Sequence, residues 1–166
     1  IVDCPVEPPL VLRPGGITLE MLQQVNKDIT IDPGLMKKPS ENLKPKAPGM
    51  KYRHYAPKAD LKIIKGNNEK TIEIMEEMIE NYIRDNKKVA IITVDENASV
   101  FKDVSVISLG SIEDLDSIAK NLFEALRKCD DLGVDEILCQ GFEEQGVGLA
   151  IMNRLNKAAG YNIITV

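Results

Sequence analysis

The chain has 166 residues, 43% hydrophobic and 28% charged. That is the composition of an ordinary globular protein, long enough for one well-buried domain plus appendages and too short for two large ones. The net charge of −5 excludes a generally basic nucleic-acid binder, and no apolar run approaches membrane-spanning length. The average hides a local reversal. From Pro33 to Lys58, six lysines and Arg53 stand against the single acid Glu41, so this segment carries +6 and the remainder −11. Cys4, Cys129 and Cys139 are odd in number and lack metal-ligand spacing, which points to reduced intracellular thiols. No signal peptide is visible, and the chain starts at Ile1 inside an apolar run. The expectation is a piece of a larger, cytoplasmic protein.

In chain order, Ile1–Arg13 opens with strand-like residues, breaks at Pro5, Pro8 and Pro9, and resumes as Leu10-Val11-Leu12 before the turn Arg13-Pro14-Gly15-Gly16. Thr18 can cap a short helix to about Val25, with Leu19, Leu22 and Val25 on its buried side. Residues 27–59 hold five of the nine prolines. They favour extended backbone over regular secondary structure, and this is the clearest domain boundary. From Asp60 the pattern is regular. A strand over Leu61–Lys65 precedes a helix capped by Asn67 or Asn68 that runs to about Asp85, with Ile72, Met75, Ile79 and Ile83 at helical spacing. Lys88–Val94 is a nearly continuous apolar strand, the kind covered on both faces. Asp95–Lys102 is a polar connection and Val104–Leu109 another strand. Ser111, with Asp114 three residues on, starts a helix to about Asp131, closed by Gly133. Glu136–Gln140, a helix over Gly146–Ala159 and the strand Ile163–Val166 complete the order. Strands and helices alternating in this way predict an α/β fold: a small three-layer, Rossmann-like domain with a mostly parallel five-stranded sheet.

Two stretches invite a chemical reading. Ala47–Pro57 packs the only histidine, two tyrosines, a lysine and an arginine between prolines. Lys51, Tyr52, Arg53, His54 and Tyr55 offer donors suited to a phosphate, a carboxylate or a stacked base; a solvated basic linker is the plainer alternative. Gly141 and Gly146 have the spacing of a phosphate loop's glycines, but Val147 and Gly148 stand where Lys and Ser or Thr belong, and Glu143 and Glu144 place negative charge where a phosphate would sit. A flexible turn is the better reading. Residues 60–166 contain no histidine, so a histidine-based dyad or triad is excluded there. Met75, Met78 and Met152 read as core. Arg13, after an apolar strand and before glycines and a helix start, could serve an anion; a surface arginine at a turn is the simpler account.

Three stretches together resemble one family. IVDCPVEPPLVLRPGGIT is similar to the end of a YrdC-type domain. APGMKYRHYAPKADL resembles the interdomain linker of the two-domain threonylcarbamoyl-adenylate synthases, and GVGLAIMNRLNKAAG the end of their C-terminal domain. The resemblance covers essentially the whole chain. It implies a parent enzyme that condenses L-threonine, bicarbonate and ATP, with Mg²⁺, to threonylcarbamoyl-AMP and pyrophosphate for the t6A modification of tRNA. It divides the chain into residues 1–26, the remnant of a YrdC-like catalytic domain; 27–59, a Pro/Lys-rich linker that acts as a lid; and 60–166, a Rossmann-like accessory domain. Arg13 matches the L-R-P-G arginine, expected on the nucleotide's phosphate. Lys51, Tyr52, Arg53, His54 and Tyr55 match the linker motif, expected to gate the pocket. Most of the catalytic domain would lie upstream of Ile1, so the implied partner is that absent domain and this chain alone should be inactive. The accessory domain is expected to bind no cofactor by itself and no membrane, and the basic linker permits weak, salt-sensitive tRNA contact. The alternative is a non-catalytic module that binds a nucleotide, RNA or protein. Unpaired, residues 1–26 would expose apolar surface.

Overall fold

The computed structural model describes residues 1–35 and 56–166. Lys51, Tyr52, Arg53, His54 and Tyr55 lie outside the described residues. The fold is organised by a five-stranded sheet whose central strands are apolar almost throughout. Five strands form it: β4 (Asp60–Lys65), β5 (Val89–Thr93), β6 (Ser105–Ser108), β7 (Glu136–Gln140) and β8 (Ile163–Thr165). Their spatial order is β6-β5-β7-β4-β8, and every pairing is parallel. All five residues of β5 and all five of β7 are buried. Strands with no solvated face need helices on both sides, as their runs of Val, Ile and Leu predict.

The connections supply them. α2 (Asn68–Arg84) and the short α3 (Asp95–Ala98) follow β4 and β5, while α4 (Leu115–Leu132) and α5 (Val147–Ala158) follow β6 and β7. Parallel crossovers are almost always right-handed. The first two steps run across the sheet in one direction and the last two in the other, so the helices divide between the faces. Register shows the division rung by rung. Cys139 lies between Ile63 and Ile92, and these three pack with Ile118, Leu122, Ile151 and Leu155 of α4 and α5. Leu138 pairs with Ile91, and both pack with Ile64, Met75 and Ile79 on the α2 side. From Asp60 onward the sequence-predicted strands and helices are present within a residue or two, except that the helix expected to start at Ser111 begins at Leu115.

The differences are local and have identifiable causes. Asp95–Ala98, expected as an irregular connection, makes one helical turn. The cap of α4 is Asp114, whose carboxylate accepts from the Ser117 amide at 3.0 Å; Ser111 instead donates to Glu96 at 2.5 Å. Ile83 keeps the helical spacing yet is 46% exposed. Thr18 does cap α1 (Leu19–Gln23), accepting from the Met21 amide at 3.3 Å, but α1 buries none of its residues and Val25 is 89% exposed.

The N-terminal segment makes a small sheet of its own. β1 (Val2–Asp3) pairs antiparallel with β2 (Leu10–Val11), which pairs parallel with β3 (Thr30–Ile31); a 3₁₀ turn follows over Pro33–Leu35. Residues 30–35 thus gain regular structure inside the proline-rich stretch, since β3 takes its hydrogen bonds from β2 rather than from a local partner. The segment meets the larger domain at α5: the Gly146 amide donates to Glu20 at 3.3 Å. At the other end of the linker, the Lys58 amide donates to Asp130 at 2.7 Å. Among the described residues, no helix is long and apolar enough to cross a membrane.

One buried charge fixes the lower edge of the sheet. Glu136, at the first rung of β7, has a nearly buried carboxylate that accepts from Lys62 and Lys87, each at 2.6 Å. Both ammonium groups lie 5.3 Å from the centre of the Tyr82 ring, a cation–π arrangement that ties β4 and the end of α2 to the same carboxylate. Burial is the largest single influence on Glu136 and pushes its carboxyl upward; the hydrogen bonds and charges of the two lysines outweigh it, so the group sits below its ordinary range. A folded value below the unfolded one gives stabilisation that is complete above roughly pH 4.3 and lost as pH falls through the folded value. Glu136→Gln is therefore expected to lower stability at pH 7 by about 1–2 kcal/mol and to flatten the acid limb below that pH. Urea unfolding across pH 3 to 7 checks both, and an unchanged acid limb would assign the acid sensitivity to other carboxylates.

Candidate functional site

Arg13 is the first exposed residue after the buried pair Val11 and Leu12. Its amide donates to the Ile1 carbonyl at 3.3 Å, which continues the β1–β2 pairing and fixes where its side chain leaves the backbone. Beyond it the chain is uncrowded. A Cβ added at Gly15 or Gly16 would meet nothing within 4 Å, and neither glycine adopts a positive φ. These glycines therefore meet no packing or backbone need among the described residues. Lys157 stands on the last turn of α5. Lys157 is half-buried and its ammonium donates to Asn153 at 3.0 Å. Asn153 is itself buried. Burial first, and the Arg13 charge second, push the Lys157 ammonium below its ordinary value.

The loop from Gly141 to Gly148 is a packed turn. Phe142 is buried and its amide points at the Met152 sulfur, 3.2 Å away. Glu144 is paired with Lys65 at 2.8 Å. A Cβ at Gly148 would sit 2.1 Å from the Glu143 carbonyl oxygen, and one at Gly141 2.9 Å from the Lys65 Cβ. Gly141 and Gly148 are required by backbone and side-chain contact within the chain, whereas Gly146, which makes the phosphate-loop spacing with Gly141, has open space at its Cβ and is set by its positive φ. Gly146 adopts φ 54°, ψ −130°, the backbone kink that lets α5 start directly after the turn. The start of α5 receives Glu20, whose carboxyl is held below its ordinary value by its own amide, by Thr18 and by Gly146, in that order.

In doubly wound sheets, ligands favour the crevice outside the carboxyl ends of the strands. Here that edge carries an amide network. Gln140 Oε1 accepts from the Thr93 hydroxyl at 2.7 Å and from Asn97 Nδ2 at 3.0 Å, and Asn97 exchanges hydrogen bonds with Asn68 at 2.8 and 3.3 Å. Around it stand acids that are already committed: Asp95 accepts from Ser108, and Glu96 accepts from the Ser111 hydroxyl and the Ile112 amide. The Ser111 hydrogen bond is the largest cause of a lowered Glu96 carboxyl. Next to β4, Gly66 leaves no space for a side chain, because the Val166 carbonyl oxygen would lie 2.1 Å from its Cβ.

Nucleophile chemistry finds little footing. Cys129 and Cys139 are buried. Burial is the main cause that pushes the Cys129 thiol to about 12, and Cys139 goes up for the same reason. Thiols so shifted carry negligible thiolate near neutral pH. Among the described residues, no group of three or more His, Cys, Asp or Glu is placed to hold a metal ion.

Of the sequence-predicted site residues, Arg13 lies among the described ones, exposed directly after the buried pair Val11 and Leu12. Sequence reasoning did not find Lys157, Asn153 or the amide network. A signal for the last existed: Thr93 and Gln140 are the polar final residues of two strands with apolar interiors. Asn153 and Lys157 are four apart on α5, a spacing that also fits an ordinary solvated helix face, so nothing in the sequence separates the two readings.

A doubly wound parallel α/β domain, joined by a linker to an N-terminal β segment that docks on its last helix, defines the class. The chain belongs to the family described as "Threonylcarbamoyl-AMP synthase, C-terminal domain", which matches residues 17–160. It is 43% identical over 166 residues to a threonylcarbamoyl-AMP synthase of Pyrococcus abyssi, covering 100% of this chain and 46% of that protein. It is 42% identical to the Bacillus subtilis threonylcarbamoyl-AMP synthase, covering 99% of this chain and 45% of the relative. The crystal structure of P. abyssi Sua5 complexed with L-threonine superposes with a TM-score of 0.88 at 44% identity, over 99% of this chain and 46% of that one. The chain thus spans less than half the length of these relatives.

The tightness of the Gly148 contact is testable. Gly148→Ala must displace the Glu143 carbonyl, and overpacking of this kind costs about 1–3 kcal/mol. Gly15→Ala, in open space, is expected to change stability by less than about 0.5 kcal/mol. Urea midpoints for the two variants check the contrast, and equal midpoints would refute the packed-turn assignment.

Proposed function

We propose that this chain is the linker and accessory half of an L-threonylcarbamoyladenylate synthase, working with an upstream YrdC-like catalytic domain. The parent reaction joins L-threonine, bicarbonate and ATP to give threonylcarbamoyl-AMP, pyrophosphate and water, for the t6A modification of tRNA. The observation that carries this reading is similarity along the full chain, including the short N-terminal segment, to proteins named for that product. The division into residues 1–26, 27–59 and 60–166 belongs to the same proposal, with structured residues 30–35 extending the first part.

Each element has a task in it. The guanidinium of Arg13, exposed and beside an uncrowded Gly15-Gly16 turn, pairs with the nucleotide's phosphate; a planar fork of donors suits phosphate oxygens. Lys51, Tyr52, Arg53, His54 and Tyr55 close over the substrates and exclude water, which protects a hydrolysis-prone carbamoyl adenylate. Mg²⁺ enters with ATP as part of the substrate; the described residues supply no ligand cluster for a resident ion. The α/β domain keeps its own crevice filled and holds the N-terminal segment at α5. The setting is cytoplasmic, in keeping with three free cysteines. A nucleotide-, RNA- or protein-binding role for residues 60–166 alone is the competing reading; the acidic body disfavours RNA there.

The 166-residue chain is expected to release no pyrophosphate from ATP with threonine and bicarbonate, while the same chain fused to its upstream domain releases it. In the fused protein, Arg13→Gln should lower kcat/KM by about tenfold to a hundredfold, the worth of a charge-assisted hydrogen bond to phosphate. Pyrophosphate release by the chain alone, or an Arg13→Gln variant as fast as the unsubstituted protein, would overturn the assignment.

A further inference from the structure

The long helices of the α/β domain do not begin alike. Asn67 accepts from the Lys70 amide at 3.2 Å ahead of α2, and Asp114 accepts from the Ser117 amide at 3.0 Å ahead of α4. α5 has no such cap, because Gly146 stands at the capping position and has no side chain. The reciprocal half of a capping box is missing too. In that motif a Glu or Gln three residues into the helix accepts from the amide of the capping residue. The residue at that place in α5 is Leu149, which is buried and has no acceptor. The Gly146 amide instead donates to Glu20 Oε1 at 3.3 Å, from 126 residues away in the chain. Nothing lies within 4 Å of where a Gly146 Cβ would stand, so a side chain from another segment has room to reach this amide.

Glu20 is carried by a unit with its own internal ties. It lies in the first turn of α1, which Thr18 caps, and Gln23 Nε2 donates to the Ile29 carbonyl at 2.9 Å, fastening α1 to the start of β3. β1, β2 and β3 are paired with one another. α1 buries none of its residues, so packing does not anchor it. Among the described residues, the hydrogen bond that joins 1–35 to 56–166 is the one between Glu20 and Gly146.

We infer that Glu20 is a releasable latch: its carboxylate completes the start of α5 from the N-terminal segment and sets how that segment lies on the α/β domain, giving the pair a latched and a released arrangement. A carboxylate suits the place, since unpaired amides and the helix dipole make the start of a helix locally positive. Glu20 is exposed, and one exposed contact of this kind favours the latched form by only about fivefold to tenfold. The two units therefore exchange between arrangements while each keeps its own fold. Glu20 is a positioning residue, acting through α5. The latch stands on this geometry alone. Under the proposed function, which gives residues 1–26 to the catalytic half, it is where the accessory domain takes hold of that half.

The test has two readouts on the 166-residue chain. The first is amide hydrogen exchange followed by NMR. Glu20→Ala is expected to speed exchange of the Gly146 amide by about fivefold or more, while the Lys70 and Ser117 amides, under caps of their own, keep their rates. Glu20→Gln should recover most of the protection, because its amide oxygen still accepts. The second is the distance distribution between two spin labels. One sits on Cys4, the exposed thiol, and the other on Lys70→Cys at the exposed face of α2; Cys129 and Cys139 are buried. The distribution is expected to be narrow in the otherwise unsubstituted chain, broad with Glu20→Ala and narrow again with Glu20→Gln. A Gly146 rate unchanged by Glu20→Ala overturns the latch. So does equal acceleration at Lys70 and Ser117, which would mean general loss of stability. Faster Gly146 exchange with an unchanged distance distribution would leave Glu20 as a cap that holds nothing, and also overturns it. Neither readout involves synthesis, so a failure here leaves the synthase reading where it stands.

Discussion

The structure depends on one constraint: β5 and β7 are buried on both faces. Cys139 is flanked across the sheet by Ile63 and Ile92, and Leu138 by Ile91, with none of these side chains reaching solvent. A sheet so apolar cannot leave either face bare. Parallel strands demand long crossovers, and right-handed crossovers running in both directions across the sheet place α2 and α3 on one face and α4 and α5 on the other. The position of α5 follows, and with it the surface on which the N-terminal segment rests. The Glu20–Gly146 contact is thus a remote consequence of how the central rungs pack.

Residues 60–166 were legible in sequence because period and composition agree there. The unbroken apolar strand through Val89–Thr93 and the Ile118, Leu122, Leu126, Cys129 stripe each admit one reading. Errors arose where a local rule met a tertiary fact. Ile83 obeys helical spacing, but spacing does not guarantee a neighbour to cover it, and it is exposed. Ser111 looks like a cap, but the hydroxyl goes to Glu96 and Asp114 takes the position. Thr30 and Ile31 sit among prolines, and only pairing with a strand twenty residues earlier makes them a strand. The candidate site was legible only in part. Arg13 carries a local context of strand, turn and glycines. Lys157 has no local signal, because its spacing from Asn153 also fits an ordinary solvated helix face.

The two ends of the sheet show how the chain manages buried polarity. At the amino ends, Glu136 is buried with two lysines and an aromatic ring. At the carboxyl ends, amides satisfy one another around Gln140, and Gly66 and Gly141 are filled by neighbouring chain. The crevice that doubly wound folds commonly offer to ligands is occupied here by the protein itself. Its glycines are small for internal reasons, and its acids are already committed to hydroxyls and amides. A nucleotide at that edge would have to displace satisfied contacts and approach Glu143 and Glu144.

Two other places are the reverse case. Gly15 and Gly16 are small with no packing or backbone reason among the described residues. Lys157 differs from the other half-buried lysines: Lys62 and Lys65 are paired with Glu136 and Glu144, whereas among the described residues Lys157 has the Asn153 amide oxygen and no carboxylate. An acidic protein has carboxylates enough to neutralise it, so an amide in that place leaves the charge of the ammonium standing, and burial pushes the group below its ordinary value.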